Sequence, residues 1–375
     1  MRWTRRDGIM LLWPRAQTRI RTSGSRASLE RCGGSMARRI MRWIGKALLW
    51  AVGTFLVLAV AGALYQLIAT EVDERRYPPP GELVDVGGYR LHVHCIGQGS
   101  PTVILDHLGE GTSSQWAWVQ SELSNVTRVC AYDRAGFGWS DPGPAPRAAL
   151  SSARELEVLL RNASIDGPYV LVGHSYGVNV ARLYASEHPD EVSGMVLVDP
   201  GLLPGDPRLP SGSNEEPAVV PLMRVLNRLG VVRLSGICSG FSEGLPSPQR
   251  AEYCASYNTP RHWATLHAQH AAIDATAEQV RGSGALGEVP LVVLSATVPQ
   301  DELRRVWTGI NAELANSLSS DGVHREVAEA THESLAIERD DAAVTSRSIV
   351  SVVEAARTGR SLKGIGPEGS AARRR

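Results

Sequence analysis

The 375-residue chain carries no net charge, with 39 lysines and arginines against 39 aspartates and glutamates. A nucleic-acid-binding surface needs a basic excess, so the balance argues against that class and gives no reason to expect a polyanionic partner. No repeat period is visible. Cysteine is scarce, at five residues, and its spacing makes no zinc pattern. The glycines at 109 and 111 are followed by no Gly-Lys-Ser/Thr, so that stretch is not a phosphate loop. Neither a metal nor an organic cofactor is implied. The chain is long enough for one large α/β domain with an insertion, or for two ordinary domains.

Charge is balanced overall but unevenly placed. The first 46 residues are rich in arginine and almost free of acids, and residues 1–43 read as a basic, disordered leader. From Ile44 to Thr70 the only charge is Lys46. About 20 apolar residues cross a bilayer core, and here the apolarity runs all round rather than in one stripe, so 44–70 reads as a transmembrane anchor. Arg38, Arg39, Arg42 and Lys46 precede the span, while acids and arginines mix after it. The positive-inside rule then puts the N-terminus in the cytoplasm and the rest of the chain outside. A cleaved signal peptide ending near Ala61-Gly62-Ala63 is the competing reading, and Met36 or Met41 would make a natural start.

Four cysteines lie beyond the anchor, an even number that permits three pairings in an oxidising compartment. Cys238 and Cys254 could staple one short segment. Cys95 and Cys130 each close a predicted strand and are either neighbours or buried free thiols.

The pentapeptide Gly173-His174-Ser175-Tyr176-Gly177 follows the apolar run Tyr169-Val170-Leu171-Val172 and precedes a helical stretch from Val178 to Glu187. That is the nucleophile-elbow pattern G-x-S-x-G in the strand–turn–helix setting it requires. A sharp turn forces the serine into a strained backbone, and small neighbours avoid clashes. The hydroxyl of Ser175 then stands above the sheet, and the main-chain amide of Tyr176 can face a developing oxyanion.

Around the elbow, strands alternate with helices. A hairpin is expected in Leu83–Val86 and Tyr89–Cys95, turning at Gly87-Gly88, after the linker Tyr77-Pro78-Pro79-Pro80-Gly81. Strands follow at Thr102–Leu105, Thr127–Tyr132 and Gly194–Val198, with helices at Trp116–Leu123 and Ser151–Asn162. Regular order resumes with strand Leu291–Leu294, helix Asp301–Leu318, strand His324–Ala328 and helix Ala342–Ala356. This alternation predicts an α/β fold with a mainly parallel twisted sheet, helices on both faces and a helical lid inserted before the last two strands. Residues 77–199 and 290–356 would form the core, 200–289 the lid, and 357–375 a disordered tail. Within the lid the sequence offers amphipathic pieces at Leu222–Leu229 and His262–Val280, and Phe241, Tyr253, Tyr257 and Trp263 as candidate pocket residues.

Three motifs together resemble the α/β-hydrolase superfamily, and more closely its membrane-anchored bacterial members of the esterase and lipase type. They are the elbow, the segment Tyr132-Asp133-Arg134-Ala135-Gly136-Phe137-Gly138-Trp139-Ser140-Asp141, and Ala330-Thr331-His332-Glu333-Ser334-Leu335 after the last strand. The resemblance spans about Tyr77 to Ala356. It implies a triad in the chain order Ser, acid, His, with Ser175 as nucleophile and His332 as base. For the acid it offers two positions, Asp199 after one strand and Asp301 after the next. Where relatives carry a Gly-rich turn after the third strand, this chain has Asp106-His107-Leu108-Gly109-Glu110-Gly111, so the second oxyanion amide falls to Gly109 in preference to Leu108. Asp133 and Arg134 would bond the surrounding loops.

The function so implied is a serine hydrolase cleaving carboxylic esters or thioesters through an acyl-enzyme, with a small acyl ester as substrate and the membrane as its location. The rivals are a ligand-binding or sensing protein with slow or no turnover, and peroxidase-like or peptidase activity on the same triad. The sequence does not speak to oligomeric state.

Overall fold

The computed structural model describes residues 26–208 and 219–364, with side chains from Met36 onward except Ala37. The chain divides into two units, Met1–Ala59 and Val60–Arg375. The first is described as helix from Arg26, the start of α1 (Arg26–Arg76), and its described apolar side chains stand exposed. Among the described residues Arg38–Arg76 is long and apolar enough to cross a membrane, by length and composition. The expected disorder of the leader does not hold for residues 26–43, which are helical. A helix nucleated in the apolar run propagates back through Met36, Ala37 and the arginines, good helix formers, and crosses the less favourable Gly33-Gly34 before Arg26. Residues 1–25 lie outside the described residues.

In the second unit the predicted alternation is present. The order is β1 (Glu82–Asp85), β2 (Arg90–Ile96), β3 (Thr102–Asp106), α2 (Ala117–Leu123), β4 (Val129–Tyr132), α3 (Ala149–Asn162), β5 (Tyr169–His174), α4 (Gly177–Glu187) and β6 (Val192–Val198). Among the described residues six helices follow: α5 (Val219–Arg228), α6 (Val231–Ser235), α7 (Cys238–Phe241), α8 (Ser247–Tyr257), α9 (Pro260–Ala271) and α10 (Ile273–Arg281). The core then resumes with β7 (Leu291–Ala296), α11 (Glu302–Leu318), β8 (Gly322–Val327), α12 (Ser334–Ile337) and α13 (Arg339–Thr358). The β1–β2 turn uses Gly87 and Gly88 at φ 117° and 99°, a conformation that L side chains resist, and the Asp85 carboxylate accepts from both of their amides.

The strands form one sheet in the order β1-β2-β4-β3-β5-β6-β7-β8, antiparallel across β1, β2 and β4 and parallel from there on. Alternate residues of each central strand go to opposite faces. Val103, Leu105, Val170, Val172, Val196 and Val198 join the cluster that holds Trp116 of the preceding turn and Ile349, Val352 and Val353 of α13. Ile104, Leu171, Met195 and Leu197 join the cluster that holds Leu156, Leu159 and Leu160 of α3 and Val178 and Leu183 of α4. Strands buried on both faces read as unbroken apolar runs, which is why they were visible in sequence.

The stretch His262–Val280, expected as one amphipathic piece, is two helices, α9 and α10, meeting at Ala272. Thr259 caps α9 by accepting from the His262 amide. The tail is ordered further than expected. Helix α13 runs to Thr358, Arg357 donates to the carbonyls of Ser100 and Val126, and Leu362 is buried after a turn tied to the Asp321 carboxylate. The apolar contact of Leu362 gives residues 357–364 the packing that composition did not announce; residues 365–375, like 209–218 of the lid, lie outside the described residues. Cys95 faces Cys130 across β2 and β4 and is bonded to it, and Cys238 is bonded to Cys254, joining α7 to α8.

Candidate active site

The site gathers where the parallel strands end, as in open α/β sheets generally. Strand β5 ends at His174 and the chain turns at once into α4. Between them Ser175 has φ 54°, a left-handed conformation costly for a residue with a Cβ. From Tyr169 to Ala181 every residue is buried except Ser175. The turn is tight enough that its glycines are obligatory. A Cβ on Gly173 would fall 2.5 Å from the Gly177 carbonyl carbon, and one on Gly177 would fall 2.8 Å from the carbonyl oxygens of Asp106 and His107. Gly201 packs on the other side, where a Cβ would lie 3.5 Å from Ser175 Oγ.

Two acids competed for the partner of His332. Asp199, at the end of β6, also has a left-handed backbone, φ 39°. Its Oδ2 lies 2.7 Å from His332 Nδ1 and accepts from Arg304 at 2.8 Å, while Oδ1 accepts from the Ala296 amide at 3.3 Å. Burial pushes the Asp199 carboxyl up, but the hydrogen bonds and charges of His332 and Arg304 outweigh it and hold it below the ordinary carboxylate range. Asp301 is elsewhere. It caps α11, its side chain accepting from the Arg304 amide at 2.8 Å, the ordinary task of an acid at a helix start. The cap nonetheless sets the first turn of α11, from which Arg304 reaches Asp199.

The turn after β3 lies beside the elbow. A Cβ on Gly109 would sit 3.8 Å from Tyr176 Cβ, so the two amides expected to face an oxyanion belong to neighbouring residues. Leu108, the alternative donor, already gives its amide to Gln115 Oε1 at 3.2 Å. Arg134 clamps this turn. Its guanidinium donates to the carbonyls of His107, Leu108 and Gly109 at 2.6, 2.7 and 3.1 Å, and pairs with the buried Asp106, which also accepts from Tyr132 at 2.6 Å. Asp133 ties the next layer, accepting from the Ser113 amide at 2.6 Å and lying 2.8 Å from His92 Nδ1. Burial raises the Asp133 carboxyl, yet these bonds, led by His92, hold it down at about 2. Both residues of the Tyr132–Asp141 segment thus bond the loops they were expected to bond.

Sequence reasoning missed the connection between these loops. Gln115 donates through Nε2 to His174 Nδ1 at 3.1 Å, and His174 Nε2 lies 2.8 Å from the His332 carbonyl oxygen. With Nδ1 accepting, Nε2 carries the proton and donates. Burial, then the nearby His332, depress the His174 ring to about 3, so it stays neutral and keeps that tautomer. One buried chain therefore joins the Leu108 amide, Gln115, His174 and the loop that carries His332. The resemblance gave no role to position 174, and nothing in the sequence ties Gln115 to either loop.

Of the four aromatic residues expected in a pocket, Phe241, Tyr253 and Tyr257 line a small cavity with Leu108, Glu110, Gln115, Glu333 and Ile337. Trp263 instead packs inward and donates to the Tyr257 carbonyl at 2.9 Å. Larger cavities lie elsewhere, two beside α8 next to Trp139 and Glu252 and one lined by Asp301, Arg304 and His324, and Ser175 lines none of them. Among the described residues no cluster of His, Cys, Asp and Glu has the arrangement of a metal site.

A sequence model described as the alpha/beta hydrolase fold matches residues 101–235. The uncharacterised YqjL protein of Bacillus subtilis is 36% identical over 119 residues, 31% of this chain and 47% of that protein. The chain spans about half or less of the length of the curated relatives it matches. Among solved structures, a thermophilic esterase from Thermogutta terrifontis superposes with a TM-score of 0.54 at 19% identity, covering 74% of this chain and 97% of that one. An evolved variant of a potato epoxide hydrolase superposes with a TM-score of 0.58 at 14% identity, covering 73% and 98%. Likeness at this identity concerns the fold, and the two neighbours carry different chemistries on it. The eight-stranded sheet, the elbow at the end of β5 and the matched profile agree, and the chain has the α/β-hydrolase fold.

Proposed function

We propose that the protein is a serine hydrolase of carboxylic esters or thioesters, held at a membrane by α1. Ser175 Oγ attacks the substrate carbonyl as its proton passes to His332 Nε2, and the amides of Tyr176 and Gly109 hold the oxyanion. His332 then gives that proton to the leaving oxygen or sulfur. In the second half water attacks the acyl-enzyme, losing its proton to His332, which returns it to Ser175 as the acid departs.

The observation that carries this reading is the 2.7 Å contact of His332 Nδ1 with the buried, charged Asp199. A carboxylate there holds Nδ1 as the protonated nitrogen, which leaves the Nε2 lone pair for the serine proton, and it stabilises the imidazolium that forms. Ser175 as the elbow residue favours acyl transfer over routes that need a carboxylate nucleophile. The esterase among the structural neighbours is a precedent for the fold, no more.

Anchoring and placement belong to the same proposal. The basic residues before the span favour a cytoplasmic N-terminus, and two disulfides in the catalytic unit suit an oxidising compartment outside it. The test is labelling of the membrane-inserted protein with a fluorophosphonate probe. Ser175 should be the modified residue and Ser175→Ala should abolish labelling; folded protein that takes no label at Ser175 would sink the hydrolase reading.

A further inference from the structure

Among the described residues the lid carries an exposed apolar strip. Helix α5 turns Val219, Leu222 and Val225 outward at helical spacing, α6 adds Leu234 at 69% exposure, and Ile237 and Phe241 continue the line through α7. The other faces of these helices bury Val220, Val232 and Cys238 in the domain's main apolar cluster, and the Cys238–Cys254 bond fixes α7 to α8. Six large apolar side chains exposed along three consecutive short helices mark a candidate binding surface.

Continuity with α1 identifies the partner. The turn between α5 and α6 packs on the last turns of that helix: a Cβ on Gly62 would meet the Leu229 carbonyl oxygen at 2.3 Å, and one on Gly230 would meet the Tyr65 ring at 2.8 Å. Gln66 donates to the Asn258 carbonyl at 2.6 Å, and Asp73 pairs with Arg233. On the same turns of α1, Leu64, Leu67 and Ile68 are exposed. If those side chains lie in lipid, the α5–α6 turn packed on the same helical turns lies at their depth, and the exposed faces of α5 and α6 flank it. Thr70, where the apolar run ends, is five positions beyond Tyr65, so at 1.5 Å per residue the α5–α6 turn sits about 8 Å inside the span's polar end. That is the depth at which amphipathic helices rest in the headgroup and acyl boundary.

We infer that the α5–α7 edge of the lid is embedded in the bilayer leaflet next to the catalytic unit and delivers membrane-dissolved esters to the site. The strip ends at Phe241, which is both half-exposed and part of the cavity wall shared with Leu108, Gln115 and Glu333, the neighbours of Gly109, His174 and His332. An acyl chain leaving the leaflet at Phe241 meets that cavity without crossing water. Embedding rests on the strip and on the proposed anchoring by α1; delivery rests in addition on the serine-hydrolase reading.

The test uses the full chain in phosphatidylcholine vesicles, with Cys32→Ser removing the one cysteine outside the disulfides and an environment-sensitive fluorophore on Leu234→Cys. Nitroxide placed on the lipid acyl chains should quench this label several-fold more than aqueous iodide does, and the order should reverse for the same label on Glu354→Cys of α13. Iodide quenching at position 234 without nitroxide quenching would overturn the inference. Protection from both quenchers, with a dimer in sedimentation, would overturn it in favour of a second copy covering the strip. For delivery, Leu222→Glu with Leu234→Glu should lower the ratio of vesicle-embedded long-chain ester hydrolysis to soluble short-chain ester hydrolysis by roughly ten-fold, and an unchanged ratio would refute it. Absence of fluorophosphonate labelling at Ser175 would defeat the hydrolase reading and delivery while leaving the quenching result to decide embedding.

Discussion

The sheet and the lid bury apolar side chains by different rules. Strands β3, β4, β5 and β7 have every residue buried, and the loops at their ends carry the residues of the candidate site. Helices α5 to α7 of the lid bury one face and leave the other to whatever lies outside the domain. The first arrangement is over-determined, as a strained serine at φ 54° and a strained aspartate at φ 39° require. The second suits a surface whose partner is not the protein itself.

The largest effect that would sharpen this contrast is on turnover. Asp199→Asn keeps the shape of the β6 loop but offers His332 Nδ1 the wrong partner for its tautomer, so kcat should fall roughly 10⁴-fold. Asp301→Asn retains a capping side chain on α11 and should change kcat less than about three-fold, with a stability change below about 1 kcal/mol. Steady-state kinetics on one soluble ester, run on both variants, separates the two acids. Equal losses would mean that the His332–Asp199 contact is not the working one.

Next come folding effects, read by denaturant titration in detergent. Gly173→Ala forces a Cβ to within 2.5 Å of backbone that cannot move without opening the elbow, and should cost roughly 3 kcal/mol or more. Leu222→Ser, on a side chain more than half exposed, should shift stability by no more than about 0.5 kcal/mol under the same conditions. A Leu222→Ser loss as large as that of Gly173→Ala would show that the strip packs against protein and erase the distinction between the regions.

What the sequence disclosed follows the same division. The central strands were legible because two-faced burial demands continuous apolar runs, and the elbow because a turn this tight admits only glycine at 173 and 177. The choice between Asp199 and Asp301 was not legible, since each follows a strand and neighbouring residues cannot say which carboxylate reaches across 133 positions to His332. Gln115 and His174 were silent for the same reason: their bonds run between loops that only the folded sheet brings together. In the lid, α6 and α7 are five and four residues long, too short for a helical period to appear in sequence. The Leu362 anchor of the tail is one side chain in a polar stretch, below any compositional signal.

The smallest effect tests whether lid and sheet unfold together. His107 and His174 of the core and His262 of the lid are all buried and neutral; burial is the leading cause in each, holding His174 and His262 at about 3 and His107 well below its ordinary value. An unfolded histidine titrates near 6.5, so below that pH the unfolded chain binds protons the native state refuses. Stability is therefore full above pH 6.5 and falls toward pH 3, by about 1.4 kcal/mol per pH unit for each ring. Three rings together give a slope near 4 kcal/mol per pH unit once the pH is below about 5.5, enough to unfold a domain of ordinary stability in mild acid. Both ring nitrogens of His262 lack a hydrogen-bond partner, so His262→Leu removes one proton from this count without removing a bond. Chemical denaturation at pH 5.5, 5.0 and 4.5 should then show the slope reduced by about a third in a single transition. If instead His262→Leu leaves the main slope unchanged and alters only a separate, earlier transition, the lid unfolds on its own, and its inner face contributes less to the core than the shared cluster of Trp116, Tyr257 and Trp263 implies.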